Sequence, residues 1–218
     1  DVSRNRLTEQ EVIFEGTRAA KPEMLGARLA LSADGYLFLS SGDRWEADHA
    51  QDLSDSSGAV IRIRTDGSVP DDNPFRVREG VRPEIWSYGH RNPQGLSLDP
   101  TTGQLSSTEH GPQGGDELNH VFRAGNYGWP LATYGVDYSG RPLGVNSHQP
   151  GTEQPFRYWV PISIAPSGLA VETNGDETRS GWAHWQANGC CNSRSPGIAW
   201  SRSSTTSSTN SAASGICA

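Results

Sequence analysis

The chain has 218 residues and a formal charge of −7, with 18 Lys and Arg against 25 Asp and Glu. That length allows one good hydrophobic core or two small ones, and the acidic balance leaves no basic footprint, which argues against nucleic acid as a partner. No apolar run reaches the roughly 18 residues that span a membrane, and 25 Gly with 14 Pro point to short strands and many turns rather than to helices.

The chain opens on DVSRNRLTEQ, with neither a start Met nor a signal peptide, and reads as a fragment or a processed chain. Three later segments share one shape. GARLALSADGYLFLSSGD (26–43) alternates apolar residues around an Asp34-Gly35 turn. PQGLSLDPTTGQLSSTEHGP (93–112) repeats the pattern, turning between Pro100 and Gly103. APSGLAVETNGDE (165–177) begins it a third time. Period-two alternation around such turns predicts β-hairpins. Leu29, Leu96 and Leu169 occupy equivalent places, a period of about 70 residues. A recurring antiparallel unit of that size suits a β-propeller, with a β-sandwich as the alternative. Residues 71–95 and 130–166 are rich in Pro, Gly, Asn and Tyr and read as long loops.

From Thr178 to Ala218 there is no Asp or Glu, and SRSSTTSSTNSAASGICA is low in complexity. This stretch reads either as a disordered tail or as out-of-frame translation, because an alternative frame from His184 onward can restore acids, strand alternation and a GRIRDM segment. The three cysteines, Cys190, Cys191 and Cys217, all lie in it and describe no disulfide framework for the body of the chain.

Three loops could carry chemistry. EHGPQGGDELN (109–119) gathers hard oxygen ligands: the carboxylates of Glu109, Asp116 and Glu117, and carbonyls that its Gly and Pro residues can turn inward. Such a set suits Ca²⁺ rather than zinc, although a solvated acidic turn has the same composition. IWSYGHRNPQGL (85–96) presents Arg91 and Asn92, where the arginine either clamps a ligand carboxylate or pairs with a nearby acid. NYGWPLATYGVDYSG (126–140) places Tyr127, Trp129, Tyr134 and Tyr138 among glycines, either as core or as the lining of a flat cofactor. The six histidines show no metal-binding spacing, and His90 and His110 read as hydrogen-bonding loop residues.

Taken together, SYGHRNPQGL, EHGPQGGDELN, NYGWPLATYG, GTEQPFRYW and the run from GDR to DDNPF resemble the soluble quinoprotein sugar dehydrogenases. The resemblance is strongest to the bacterial PQQ-dependent aldose sugar dehydrogenases of the glucose/sorbosone dehydrogenase family, and it spans residues 1–177, leaving 178–218 as the tail. It implies an all-β fold, a partial six-bladed β-propeller of about three blades with long loops. It also implies PQQ and Ca²⁺ as cofactors, an aldose sugar oxidised at its C1 hydroxyl to a lactone, an external electron acceptor, and a periplasmic or secreted location.

By position, the resemblance assigns Arg91, Asn92 and Tyr138 to the cofactor. It assigns the Gly111 and Pro112 carbonyls to the calcium that activates PQQ, and Glu117 and Tyr127 to a second, structural calcium. Asp43 matches the aspartate that supports the catalytic histidine. That histidine falls at Met24, in MLGARL, nineteen residues before Asp43. A thioether cannot accept the sugar's hydroxyl proton, so the resemblance implies an impaired enzyme, or a calcium-binding remnant without catalysis.

Overall fold

The computed structural model describes residues 10–18, 21, 23–144, 147–174, 177–187 and 194–204, and from 172 onward the backbone alone. Among these residues there is no α-helix, only a 3₁₀ turn at Ala47–Gln51, and no helix long and apolar enough to cross a membrane. Two four-stranded antiparallel meanders dominate. The first runs in the order β1 (Leu29–Leu31), β2 (Tyr36–Ser41), β3 (Ala59–Arg64) and β4 (Ile85–Tyr88); the second runs β5 (Pro93–Leu98), β6 (Leu105–Glu109), β7 (Asp116–Val121) and β8 (Arg157–Trp159). A third sheet pairs β9 (Pro166–Asn174) with β10 (Glu177–Ala187) and β10 with β11 (Arg194–Ser204).

The period-two signal was sound where it was read. Leu29, Leu96 and Leu169 lie in β1, β5 and β9, the first strand of each sheet. The two expected turns close by Gly35 N donating to Ser32 O at 3.1 Å and Gly103 N donating to Asp99 O at 2.9 Å. Other expectations are corrected. The stretches read as loops contain β4 and β8, and the acidic loop 109–119 is the β6–β7 hairpin, with its acids on strands. Strands β10 and β11 run through the described part of the tail. The cysteines lie outside the described residues.

Central strand β3 explains the packing. Alternate residues point to opposite faces of a strand. Ala59, Ile61 and Ile63 therefore enter one cluster with Phe75 and Ile85. Val60 enters another, with Phe38, Leu96, Leu105 and Val121, which joins the first sheet to the second. Ile13 and Phe14 of the amino-terminal segment cover part of the outer cluster. Arg62 shares the face of Val60, where its guanidinium lies over the Tyr36 ring at 3.8 Å and pairs with Asp72 at 3.0 Å.

This packing aligns the strand ends. β2, β4 and β6 all finish on the same side, so the segments that follow them, Gly42-Asp43, Gly89–Asn92 and His110–Gly115, meet there.

Candidate active site

Two cavities open among these segments. One, of about 500 Å³, is lined by Met24, Arg91, Gly111, Pro112 and Tyr138, and also by His110 and Ile162. The other, about 20 Å³, has room for one water or ion and is lined by Arg91, Glu109, Gly111, Glu117, Tyr127 and Trp129. The predicted residues thus divide between two neighbouring spaces that share Arg91 and Gly111. Asp43 and Asn92 line neither; they build the wall.

Asn92 is buried and its Oδ1 accepts from Gly26 N at 2.9 Å, while its carbonyl accepts from His110 N at 3.2 Å. Asp43 is buried, with its amide donating to Arg91 O at 2.8 Å. Its carboxylate accepts from Trp45 N at 3.0 Å and from Trp129 Nε1 at 2.7 Å. Burial raises the Asp43 carboxyl above its ordinary value, against the lowering effect of those donors and of Arg91. Residue 24 is pressed onto this wall: a Cβ on Gly42 would fall 2.1 Å from the Met24 carbonyl oxygen. Met24 sits in the left-handed region at φ 53°, which β-unbranched residues other than Asn, Asp and His seldom adopt.

Arg91 is 4% exposed. Its Nη1 donates to Gly111 O at 2.6 Å and His110 O at 3.1 Å, and its Nη2 donates to the Tyr138 hydroxyl at 3.2 Å. The guanidinium lies over Trp129 at 5.2 Å and Trp45 at 5.9 Å. The alternative in which Arg91 pairs with a nearby acid is not what is seen: among the described residues no carboxylate lies within ion-pair distance of it, and Nε is buried without a partner.

Glu109 and Glu117 face each other across β6 and β7. Asn119 Nδ2 donates to both, at 2.6 and 3.1 Å, and Asn119 Oδ1 is buried with no partner among the described residues. Glu109 also accepts from Arg91 N at 2.9 Å and contacts His90 Nδ1 at 3.2 Å; His90 Nε2 lies 2.9 Å from Ser87 Oγ. Desolvation, and then the Glu109 charge, push the Glu117 carboxyl up to about 8. Two facing acids beside an ion-sized cavity favour a cation between them.

The three-carboxylate ligand set read from the sequence is corrected, because Asp116 is already saturated. One of its oxygens accepts from Gly111 N at 2.9 Å; the other accepts from Ser163 Oγ, from Ile164 N at 2.7 Å and from Ala165 N at 2.8 Å. Among the described residues, no three His, Cys, Asp or Glu side chains gather as a metal cluster. The Tyr127 hydroxyl is likewise committed, donating to His120 O and accepting from Phe122 N at 2.8 Å, which leaves the Tyr127 carbonyl as its oxygen for a ligand.

The remaining donors suit a hard cation. A Cβ on Gly111 would fall 2.2 Å from Gly114 O and 2.3 Å from Gly115 O, so carbonyls converge on this loop, as calcium requires. Trp45 and Ser87 were not named from the sequence; Glu109 was read as a carboxylate ligand and His90 as a hydrogen-bonding loop residue, and they join Ser87 in one buried chain. Trp129, in its glycine-flanked aromatic run, was read as core or as cofactor lining, and it holds Asp43.

The model of the family described as Glucose / Sorbosone dehydrogenase matches residues 1–192. The chain belongs to this family. It is similar to the aldose sugar dehydrogenase YliI of Escherichia coli (strain K12), 48% identical over 169 residues, covering 76% of this chain and 45% of that protein. The chain therefore spans less than half the length of that relative. Among solved structures, a glucose dehydrogenase superposes with a TM-score of 0.75 at 38% identity, over 89% of this chain and 61% of the other. The PQQ-bound aldose sugar dehydrogenase of Streptomyces coelicolor superposes at 0.56 and 28% identity, over 80% and 48%. Membership of the glucose/sorbosone dehydrogenase family thus rests on most of the chain, including the loops that line both cavities.

Proposed function

We propose that this chain is a PQQ- and calcium-binding sugar dehydrogenase scaffold, built as part of a six-bladed β-propeller, that acts on the C1 hydroxyl of aldoses and is impaired at its proton-accepting position. The observation that carries this reading is the buried Arg91 guanidinium, which faces the larger cavity with no carboxylate partner among the described residues. An unpaired buried cation calls for an anionic ligand, and PQQ is a polycarboxylate.

When bound, PQQ supplies the acceptor for the two electrons and hydrogen lost from C1. Arg91 holds its charged groups and offsets the negative charge that develops on it. Tyr138, with its hydroxyl tied to Arg91, flanks it. The Gly111 and Pro112 carbonyls would hold the activating calcium; Glu117 and the Tyr127 carbonyl would hold the structural one. Asp43, fixed by Trp45 and Trp129, positions residue 24, which faces the sugar's hydroxyl and must take its proton for a lactone to form. A methionine cannot take that proton. An external electron acceptor and a periplasmic or secreted setting complete the reading.

The test is PQQ binding by calorimetry, together with dye reduction on glucose, for the natural chain and for Met24→His. Histidine accepts the φ of residue 24 more readily than methionine, so the change should fold. We expect PQQ to bind both proteins, and Met24→His to reduce dye about 10²–10⁴-fold faster. Equal rates would show that residue 24 alone does not limit the reaction, and strong rescue that the rest of the propeller is not required. Absence of PQQ binding to either would refute the cofactor reading.

A further inference from the structure

Arg91 sits on an oxygen that calcium would need. Its Nη1 is 2.6 Å from Gly111 O and 3.1 Å from His110 O. Apart from those carbonyls and the Tyr138 hydroxyl, its guanidinium, Nε included, has no hydrogen-bond partner among the described residues. A full positive charge resting on neutral oxygens in a buried carbonyl loop is the environment of a bound metal ion. Here the chain's own cation occupies it.

Calcium binds oxygen at about 2.3–2.6 Å. With a guanidinium nitrogen on the same carbonyl, the two positive charges would lie about 4–5 Å apart. Among the described residues no carboxylate lies within ion-pair distance of the guanidinium, so the two repel at short range and do not readily share Gly111. We propose that Arg91 is an internal plug: it stands in for calcium at the Gly111 carbonyl, and calcium binding turns its guanidinium away toward an anionic ligand in the larger cavity. The inference rests on the calcium reading above.

It has a consequence for the order of binding. Arg91 released from Gly111 and His110 has Nη1 as well as Nε free for a carboxylate, so calcium and a carboxylate ligand strengthen each other's binding, by the same factor in both directions. Without the guanidinium that share of the coupling is lost.

The test measures calcium binding by calorimetry in a Glu117→Gln background, which weakens the neighbouring site by removing one of the two carboxylates that line it. Arg91→Met keeps an apolar stem against Trp129 and Trp45 and removes the charge. Arg91→Lys keeps the charge and guards against misfolding of the first variant; near-ultraviolet circular dichroism checks both. Arg91→Met should bind calcium on the order of tenfold tighter than the Arg91 protein, with Arg91→Lys between them. In the Arg91 protein, PQQ should tighten calcium binding about 5–150-fold, and by clearly less in Arg91→Met.

Calcium binding to Arg91→Met that is equal or weaker overturns the plug and leaves the calcium reading standing. PQQ that leaves the calcium affinity of the Arg91 protein unchanged also overturns it. Absence of calcium binding with or without Arg91 overturns the calcium reading at Gly111 and the plug together.

Discussion

Glu117→Gln is the most direct probe of the facing acid pair. In the folded chain the Glu117 carboxyl is pushed up to about 8 from an ordinary 4.5, by desolvation first and by Glu109 second. The folded state therefore holds that proton more tightly than the unfolded state. Stability is largest with the acid protonated and falls as pH rises from about 4.5 to about 8, the direction opposite to that of a salt-bridged carboxylate. A rise of that size corresponds to about 5 kcal/mol at most. Glu117 keeps some solvent contact and shares its charge with Glu109, which brings the expected loss to about 2–4 kcal/mol. Urea denaturation at pH 5 and pH 8 in EDTA measures it. The natural chain should lose that amount, and Glu117→Gln should lose less than half of it. A smaller slope should persist at lower pH in the variant, because burial also raises Asp43. Calcium at pH 8 should restore the natural chain and leave Glu117→Gln unmoved. Equal stability at pH 5 and pH 8 without calcium, or an unchanged slope in the variant, would refute the reasoning.

Two further changes test the frame around the cavities. Asp116→Ala strips the acceptor from Gly111 N, Ser163 Oγ, Ile164 N and Ala165 N; unpaired buried donors cost about 1–3 kcal/mol each, so a loss of about 3 kcal/mol or more is expected in urea denaturation, with PQQ affinity falling as the loop loosens. Ile61→Ala removes a fully buried side chain of the central strand and should cost about 2–5 kcal/mol while leaving ligand affinity unchanged in whatever chain remains folded.

How much of this was legible depended on what each strand shows to solvent. β1, β2, β5 and β6 flank turns rich in Asp, Thr and Gly and alternate visibly, so their hairpins could be read. β3 is buried on both faces, and its arginines broke the pattern: Arg62 lies inside, under Tyr36 and Trp86, where a charged residue looks like surface in a sequence. β7 reads DELNHV, and four of its residues are polar: Glu117 lines the ion-sized cavity and Asn119 bonds both glutamates, while Asp116, on the opposite face, accepts from the 163–165 segment. The missed strand and the site therefore have one cause.

The same blindness governed the ligands. Asp116 and Glu117 are adjacent acids with opposite fates, since successive residues of a strand point to opposite faces. Asp116 turns toward the amides of 163–165 and becomes a staple; Glu117 turns toward Glu109 and becomes a charge in search of a counter-ion. Spacing within the loop could not separate them, because the partner amides lie almost fifty residues away. Arg91 shows the complementary limit. Its sequence neighbours contain no acid, and among the described residues none pairs with its guanidinium, so that charge rests on carbonyl oxygens that a metal ion would also seek. On the proposed reading, what decides whether this loop holds an ion is less the number of acids in it than the competition between a guanidinium and a divalent cation for one glycine carbonyl.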